Sequence, residues 1–210
     1  MKIGYVLLLV FCITSCSSVK LNERWRNPKT KDFKPKNILI IGVNQDFNAR
    51  KTFEFKLKNE LNKRGINALQ SHVVFREMFQ ATDQTEQEVK QQELKLIEAG
   101  YDCILIALVK GIDENQSYSG GSAKVDYSLR KFIGYYLAYR DNYLEQNYQK
   151  KYKVVTVETL LYSLKRDAKK RLVWSGSFDL VDPKNTDKVT DNYIKRLLKT
   201  LQRENLINRY

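Results

Sequence analysis

The chain has 210 residues, and its 37 lysines and arginines against 24 aspartates and glutamates give a formal charge of +13. That length supports one sizeable core, and the basic balance fits an anionic lipid, an acidic polymer, nucleic acid, or simply a solvated basic surface. The single histidine, His72, excludes zinc sites built on several histidines. The basic residues are spread along the chain (Lys29, Lys31, Lys34, Lys36, Lys150, Lys151, Lys153, Lys169, Lys170, Arg171) rather than gathered in one recognition element.

The amino-terminal stretch is the most specific. Lys2 supplies a positive start, Tyr5 to Ile13 an apolar run too short to cross a bilayer comfortably, and Ile13-Thr14-Ser15 a cleavage site ending at Cys16. That is the order of parts in a secretory signal. It resembles a bacterial lipoprotein signal, whose box sets an aliphatic residue three places before a cysteine with small residues between. The resemblance implies that residues 1–15 are removed and that Cys16 becomes the acylated first residue, its palmitate-type chains anchoring the protein to a membrane. Ser17 follows, rather than the Asp that resembles an inner-membrane retention signal. This implies the outer membrane, with the body facing the periplasm. Nucleic acid is not expected as a partner of an exported protein. Of the cysteines, Cys12 leaves with the signal and only Cys103 remains unmodified. It sits in an apolar run where a thiol behaves as a small buried hydrophobe, so no internal disulfide is expected.

Residues 16–36 are polar, basic and carry Pro28 and Pro35, which reads as a flexible tether. The alternative is that Trp25 and Phe33 pack against the domain. Residues 37–205 read as a single α/β domain, with 206–210 as a tail. Ile38-Leu39-Ile40-Ile41-Gly42-Val43 suits a strand covered on both faces. Lys51 to Arg64 reads as a helix with Phe53, Leu57 and Leu61 on one stripe and Gly65 as its stop. Ile66 to Ser71 suits a second strand. Thr85-x-x-Glu88 has the form of a capping box opening a helix with Val89, Leu96 and Ile97 that ends at Gly100. Asp102 to Val109 is a third, strongly apolar strand. A β-α-β-α-β opening argues for partly parallel pairing.

Tyr152 to Lys165 alternates, with Val155, Val157, Thr159 and Leu161 on one face. Arg171 to Leu180 returns with Leu172, Trp174, Gly176 and Phe178 on one face, forming an antiparallel hairpin. Asp187 to Asn205 closes the chain as a helix with Val189, Ile194, Leu197, Leu198 and Leu201 inward. The fold expected is mixed α/β: one mixed sheet with helices packed on it.

Residues 111–151 stand apart as a Tyr-rich insertion. Eight of the 13 tyrosines fall between Tyr118 and Tyr152. Val125, Leu129, Phe132, Tyr136 and Tyr143 fit a helical stripe, while Phe132, Gly134 and Tyr136 equally fit one face of a strand, and the pattern does not decide. Tyrosine combines large contact area with a polar tip, which suits recognition. Tyr127, Arg130, Lys131, Tyr135, Tyr136, Tyr139 and Arg140 are therefore the candidate partner-binding residues. The alternative is that the rings simply cover a sheet face.

Signatures of catalysis are sparse. No G-x-S-x-G elbow, H-E-x-x-H, Walker loop or G-x-G-x-x-G occurs. His72 at a strand end reads as structural. Gly120-Gly121-Ser122 lacks the Lys-Ser/Thr that grips phosphate. Asp113 and Glu114 end the third strand where ligands often bind in open α/β sheets, with Glu158 as a conceivable partner across the sheet. No catalytic, cofactor-binding or metal-ligating residue is assigned, and no cofactor is expected.

A wider resemblance rests on Lys36-Asn37-Ile38-Leu39-Ile40-Ile41-Gly42-Val43, Arg50-x-x-x-Glu54, Gly100-Tyr101-Asp102, Val157-Glu158-Thr159-x-Leu161-Tyr162 and Leu172-Val173-Trp174-Ser175. With the order of elements behind a lipidated Cys, these resemble lipoproteins common in Bacteroidota. They also resemble the α/β domains of the penicillin-binding-protein activators, the curli-secretion lipoprotein and the amino-terminal domain of TolB. The resemblance implies a non-enzymatic domain that docks on an envelope protein or a peptidoglycan-associated component. The rival is a small-molecule or glycan-binding domain, with a hydrolase behind it. The curli channel uses long membrane-facing hairpins in a place comparable to Tyr118 to Tyr152. Arg130-Lys131 and Lys150-Lys151 do not look like lipid-facing strands.

Overall fold

The computed structural model describes residues 18–44, 46–74, 86–111, 154–165, 172–181 and 186–209. Within them one mixed six-stranded sheet runs in the order β1-β6-β5-β4-β2-β3. The strands are β1 (Val19–Arg26), β2 (Asn37–Val43), β3 (Asn67–Gln70), β4 (Cys103–Gly111), β5 (Val154–Ser163) and β6 (Leu172–Val181). The helices are α1 (Phe47–Asn62), the single turn α2 (Ser71–Val74), α3 (Glu86–Glu98) and α4 (Thr186–Arg203). Strand β2 pairs parallel with β3 and β4, and the remaining pairings are antiparallel. The expected mixed α/β fold, with its hairpin and closing helix, is the fold observed.

Residues 38–43 of β2 and 103–109 of β4 are each an unbroken run without a charged or amide side chain, because both of their faces are covered. Ile38 and Ile40 of β2 and Cys103, Leu105 and Ala107 of β4 point into one core. Leu39, Ile41, Ile104, Ile106 and Leu108 point into the other. Helices α1 and α4 cover the first core with Phe53, Leu57, Leu61, Ile194, Leu197, Leu198 and Leu201. Leu96 of α3 joins the second. Lys56 bridges α1 and α4 across the solvent side, 3.3 Å from Asp187 and 2.8 Å from Asp191.

The three long helices end alike. Gly65 and Gly100 take φ of +74° and +85°, and Asn205 takes +55°. Each is followed by a residue whose N–H reaches back to the last turn: Ile66 to Leu61, Tyr101 to Leu96 and Leu206 to Leu201. This is the left-handed stop that glycine and asparagine make cheaply.

Several expectations are corrected. Residues 18–36 are not a tether. Val19–Arg26 forms an edge strand on β6, with Val19 buried. The following segment wraps the sheet end: Asn27 donates through Nδ2 to the Leu172 carbonyl at 2.9 Å, and Phe33 is buried. Trp25 packs partly against the second core, so the alternative weighed for Trp25 and Phe33 is the one realised. An edge strand buries one flank and part of one face, so exposed Lys20, Asn22, Glu23 and Arg24 hide its pattern while guarding the edge. Residues 206–210 are not wholly a tail either, because Leu206 and Ile207 are buried in the first core.

Helix α1 starts at Phe47 rather than Lys51, capped by Asp46, whose carboxylate accepts from the N–H groups of Asn48 and Ala49. Strand β3 is shorter than expected, because Ser71 already belongs to α2. Leu172 does not share a face with Trp174. The register shifts between Leu161 and Tyr162, leaving Val173 as the extra residue of a bulge and sending Leu172 to the second core.

Asp102 gives the Gly100-Tyr101-Asp102 motif a structural role. Its carboxylate accepts from the N–H groups of Lys36 and Asn37 at 3.1–3.2 Å, stapling the entry of β2 to that of β4.

Candidate functional site

The carboxyl end of the parallel strands carries the polar cluster. Glu54, on the sheet-facing side of α1, is fully buried. Its Oε1 accepts from the Gly42 N–H at 2.9 Å and from the Ser71 hydroxyl at 2.5 Å, and its Oε2 lies 3.0 Å from His72 Nδ1. Gly42 lets α1 lie this close to β2, through Arg50 and Phe53 rather than Glu54. A Cβ there would lie 2.9 Å from Cγ of Arg50 and 3.3 Å from Cδ1 of Phe53. The guanidinium of Arg50 sits 4.9 Å from the Phe47 ring centroid.

This cluster differs from a hydrolytic relay in connectivity. In a relay the imidazole stands between nucleophile and carboxylate. Here the carboxyl group of Glu54 stands between Ser71 and His72, and Ser71 is fully buried. The arrangement locks α1 and α2 onto the ends of β2 and β3.

Beside it an apolar cavity of about 200 Å³ opens between α1 and α4, walled by Val109, Val155, Val157, Leu180, Val189 and Tyr193. Tyr193 stacks on Phe53 at 5.7 Å and meets Phe178 edge-on at 5.3 Å. Its hydroxyl shares a short hydrogen bond with Thr159 Oγ1. Burial pushes the phenol well above its ordinary pKa of 10.0, against the lesser pull of the Thr159 bond. The neutral form is the one favoured by the fold. Its contribution is complete at neutral pH and is lost as pH rises above the unfolded value and through the raised folded one. Replacing Tyr193 by Phe is expected to cost about 1–2 kcal/mol, because buried Thr159 loses its partner. Urea unfolding at pH 7 checks this, and an unchanged midpoint would contradict it.

Glu158 is buried on β5. It alternates with Val157, which faces the first core, so the sheet separates it from Glu54 and from the cavity. The two carboxyl groups are not brought together. Cys103 is fully buried, and burial, with Asp102 nearby, pushes its thiol well above the ordinary value. It packs as a small hydrophobe, as expected.

Cys16, Asp113, Glu114, Gly120-Gly121-Ser122 and all seven candidate partner-binding residues (Tyr127, Arg130, Lys131, Tyr135, Tyr136, Tyr139 and Arg140) lie outside the described residues. So does Thr85 of the capping box. The flanks of the Tyr-rich insertion are described: Gly111 of β4 and Val155 of β5 are cross-strand partners. The insertion therefore leaves and re-enters the sheet at the end where the cavity opens. The Glu54 cluster had one sequence signal, an acidic residue beside the apolar stripe of α1 and four positions after Arg50. Nothing in that signal named Gly42 or Ser71 as its partners.

No protein-family model and no curated protein sequence matches the chain. Among solved structures it is similar to the PelC dodecamer from Paraburkholderia phytofirmans, at 13% identity and a TM-score of 0.46, covering 88% of this chain and 97% of that one. It is also similar to lipoprotein GNA1162 from Neisseria meningitidis, at 12% identity and a TM-score of 0.41, covering 80% and 97%.

Proposed function

We propose that the protein is an outer-membrane lipoprotein whose periplasmic domain acts by binding an envelope protein or a cell-wall component, without catalysis of its own. The lipoprotein box ending at Cys16, set against a sheet that already holds Ser18, carries this reading. Ser18 is held on both sides: its carbonyl accepts from the Val181 N–H at 2.8 Å and its hydroxyl accepts from Asn192 Nδ2 at 2.9 Å. A lipid on Cys16 would hold the domain itself at the membrane, within reach of other envelope components. Membership of the group that includes the penicillin-binding-protein activators and the curli-secretion lipoprotein belongs to this same reading.

The partner surface remains the Tyr-rich insertion, whose flanks Gly111 and Val154 sit at that same end of the sheet. Replacing Tyr135, Tyr136 and Tyr139 together by Ser is expected to abolish cross-linking to the partner in whole cells, with the far-UV spectrum preserved. Undiminished cross-linking would count against that surface.

A second reading draws on the cavity. Its apolar walls suit an acyl or other hydrocarbon group better than a glycan, which would need several polar partners. A thermal-shift comparison of medium-chain fatty acids with oligosaccharides tests it. Stabilisation by the former alone supports ligand binding, and stabilisation by neither removes it.

A further inference from the structure

Chain length between the expected lipid and the first strand fixes an orientation. Ser18 is bonded to both Val181 and Asn192, and only Ser17 separates it from Cys16. Two extended residues span about 7 Å. A lipid on Cys16 therefore cannot hang the domain at a distance, and whichever end of the sheet holds Ser18 is brought against the bilayer.

That end carries exposed apolar side chains of its own. It gathers the start of β1, the start of β5 and the carboxyl ends of β2, β3, β4 and β6, because β1 and β5 run opposite to their neighbours. Phe47, which opens α1 after β2, is 53% exposed, and Val181, which ends β6, is 47% exposed. Val73 and Val74, in the turn after β3, are 53% and 36% exposed. These are four of the six large apolar side chains left exposed among the described residues, the others being Phe55 and Leu94 on helix flanks. Exposed apolar side chains spread along the one end to which the lipid is tied are what an interfacial contact requires.

Resting on the lipid-anchor reading, we infer that this end of the domain lies in the phospholipid interface, with Phe47, Val73, Val74 and Val181 in contact with lipid. The contact is a second membrane attachment beside the acyl chains. It also sets the opposite pole, with exposed Lys29, Lys31, Lys34 and Lys36, toward the periplasm. Strand β1 alone separates the two poles by about 23 Å.

Spin labels on the lipidated full-length protein in phosphatidylethanolamine–phosphatidylglycerol vesicles test this. Cys103 is buried and would not take the label. Phe47→Cys and Val181→Cys are labelled singly, with Lys31→Cys as the distal control. The expected result is a shift toward oxygen and away from the aqueous nickel reagent at 47 and 181, and the reverse at 31. Aqueous accessibility at all three sites in protein that floats with the vesicles overturns the orientation while leaving the anchor intact. Labels at 47 and 181 that are immobilised and closed to both reagents mean a protein contact, a second copy or another envelope protein, and overturn it too. Failure of the chain to float removes the anchor itself and this inference with it.

Discussion

Replacing Glu54 by Ala is expected to destabilise the domain by about 3 kcal/mol or more, one of the two largest losses predicted for a single substitution. The change strips the Gly42 N–H and the Ser71 hydroxyl of their acceptor inside the protein. Each orphaned buried group costs about 1–3 kcal/mol, and a vacated volume adds to that. Glu54→Gln keeps a carbonyl oxygen for Gly42 and Ser71 and sets an amide toward His72. Its loss should be nearer to about 1 kcal/mol. Urea unfolding of the two variants side by side reads the difference in midpoint. If Glu54→Ala unfolds at the wild-type midpoint, the carboxyl group is not what fastens α1 and α2 to the sheet. A constructive role for Glu54 also accounts for the Arg50-x-x-x-Glu54 pattern without invoking chemistry.

Gly176→Val is expected to be at least as damaging. The indole of Trp174, itself fully buried, folds across the Cα of Gly176. A Cβ at 176 would run into Cη2 of that ring, lie 2.7 Å from Cζ2 and stand 3.2 Å from Cε2 of Phe178. Both rings are fully buried and neighbour each other with centroids 6.5 Å apart, so a shift of either disturbs the core. Overpacking of this kind typically costs about 1–3 kcal/mol. Gly176→Ala should fall in that range and the branched valine above it, seen as a drop in melting temperature that grows from Ala to Val. Equal melting temperatures for all three would mean that the indole does not occupy that place.

Legibility in the sequence tracked burial. Strands β2 and β4 were readable because both faces are covered, so the runs 38–43 and 103–109 carry no charged or amide side chain and stand out. Helix α4 was readable because one apolar stripe faces one core. Strand β1 was not, since an edge position leaves Lys20, Glu23 and Arg24 in water and the composition then imitates a linker. The bulge at Val173 was equally hidden: one added residue reverses the facing of Leu172 without changing the apolar character of the run. Asp102 and Glu54 were visible as residues but not as staples, because their partners are backbone N–H groups, which every sequence offers everywhere. Leu206 and Ile207 looked like a tail because the left-handed turn at Asn205 that folds them inward spans a single residue.

The proposed place in the envelope, the orientation at the bilayer and the reach of any partner all depend on a lipid at residue 16. Cells fed radiolabelled palmitate and expressing wild-type or Cys16→Ser protein measure it directly. The account predicts label on the wild-type chain alone, with the variant uncleaved and free of label. A Cys16→Ser protein that still incorporates palmitate and still partitions into the detergent phase would contradict it.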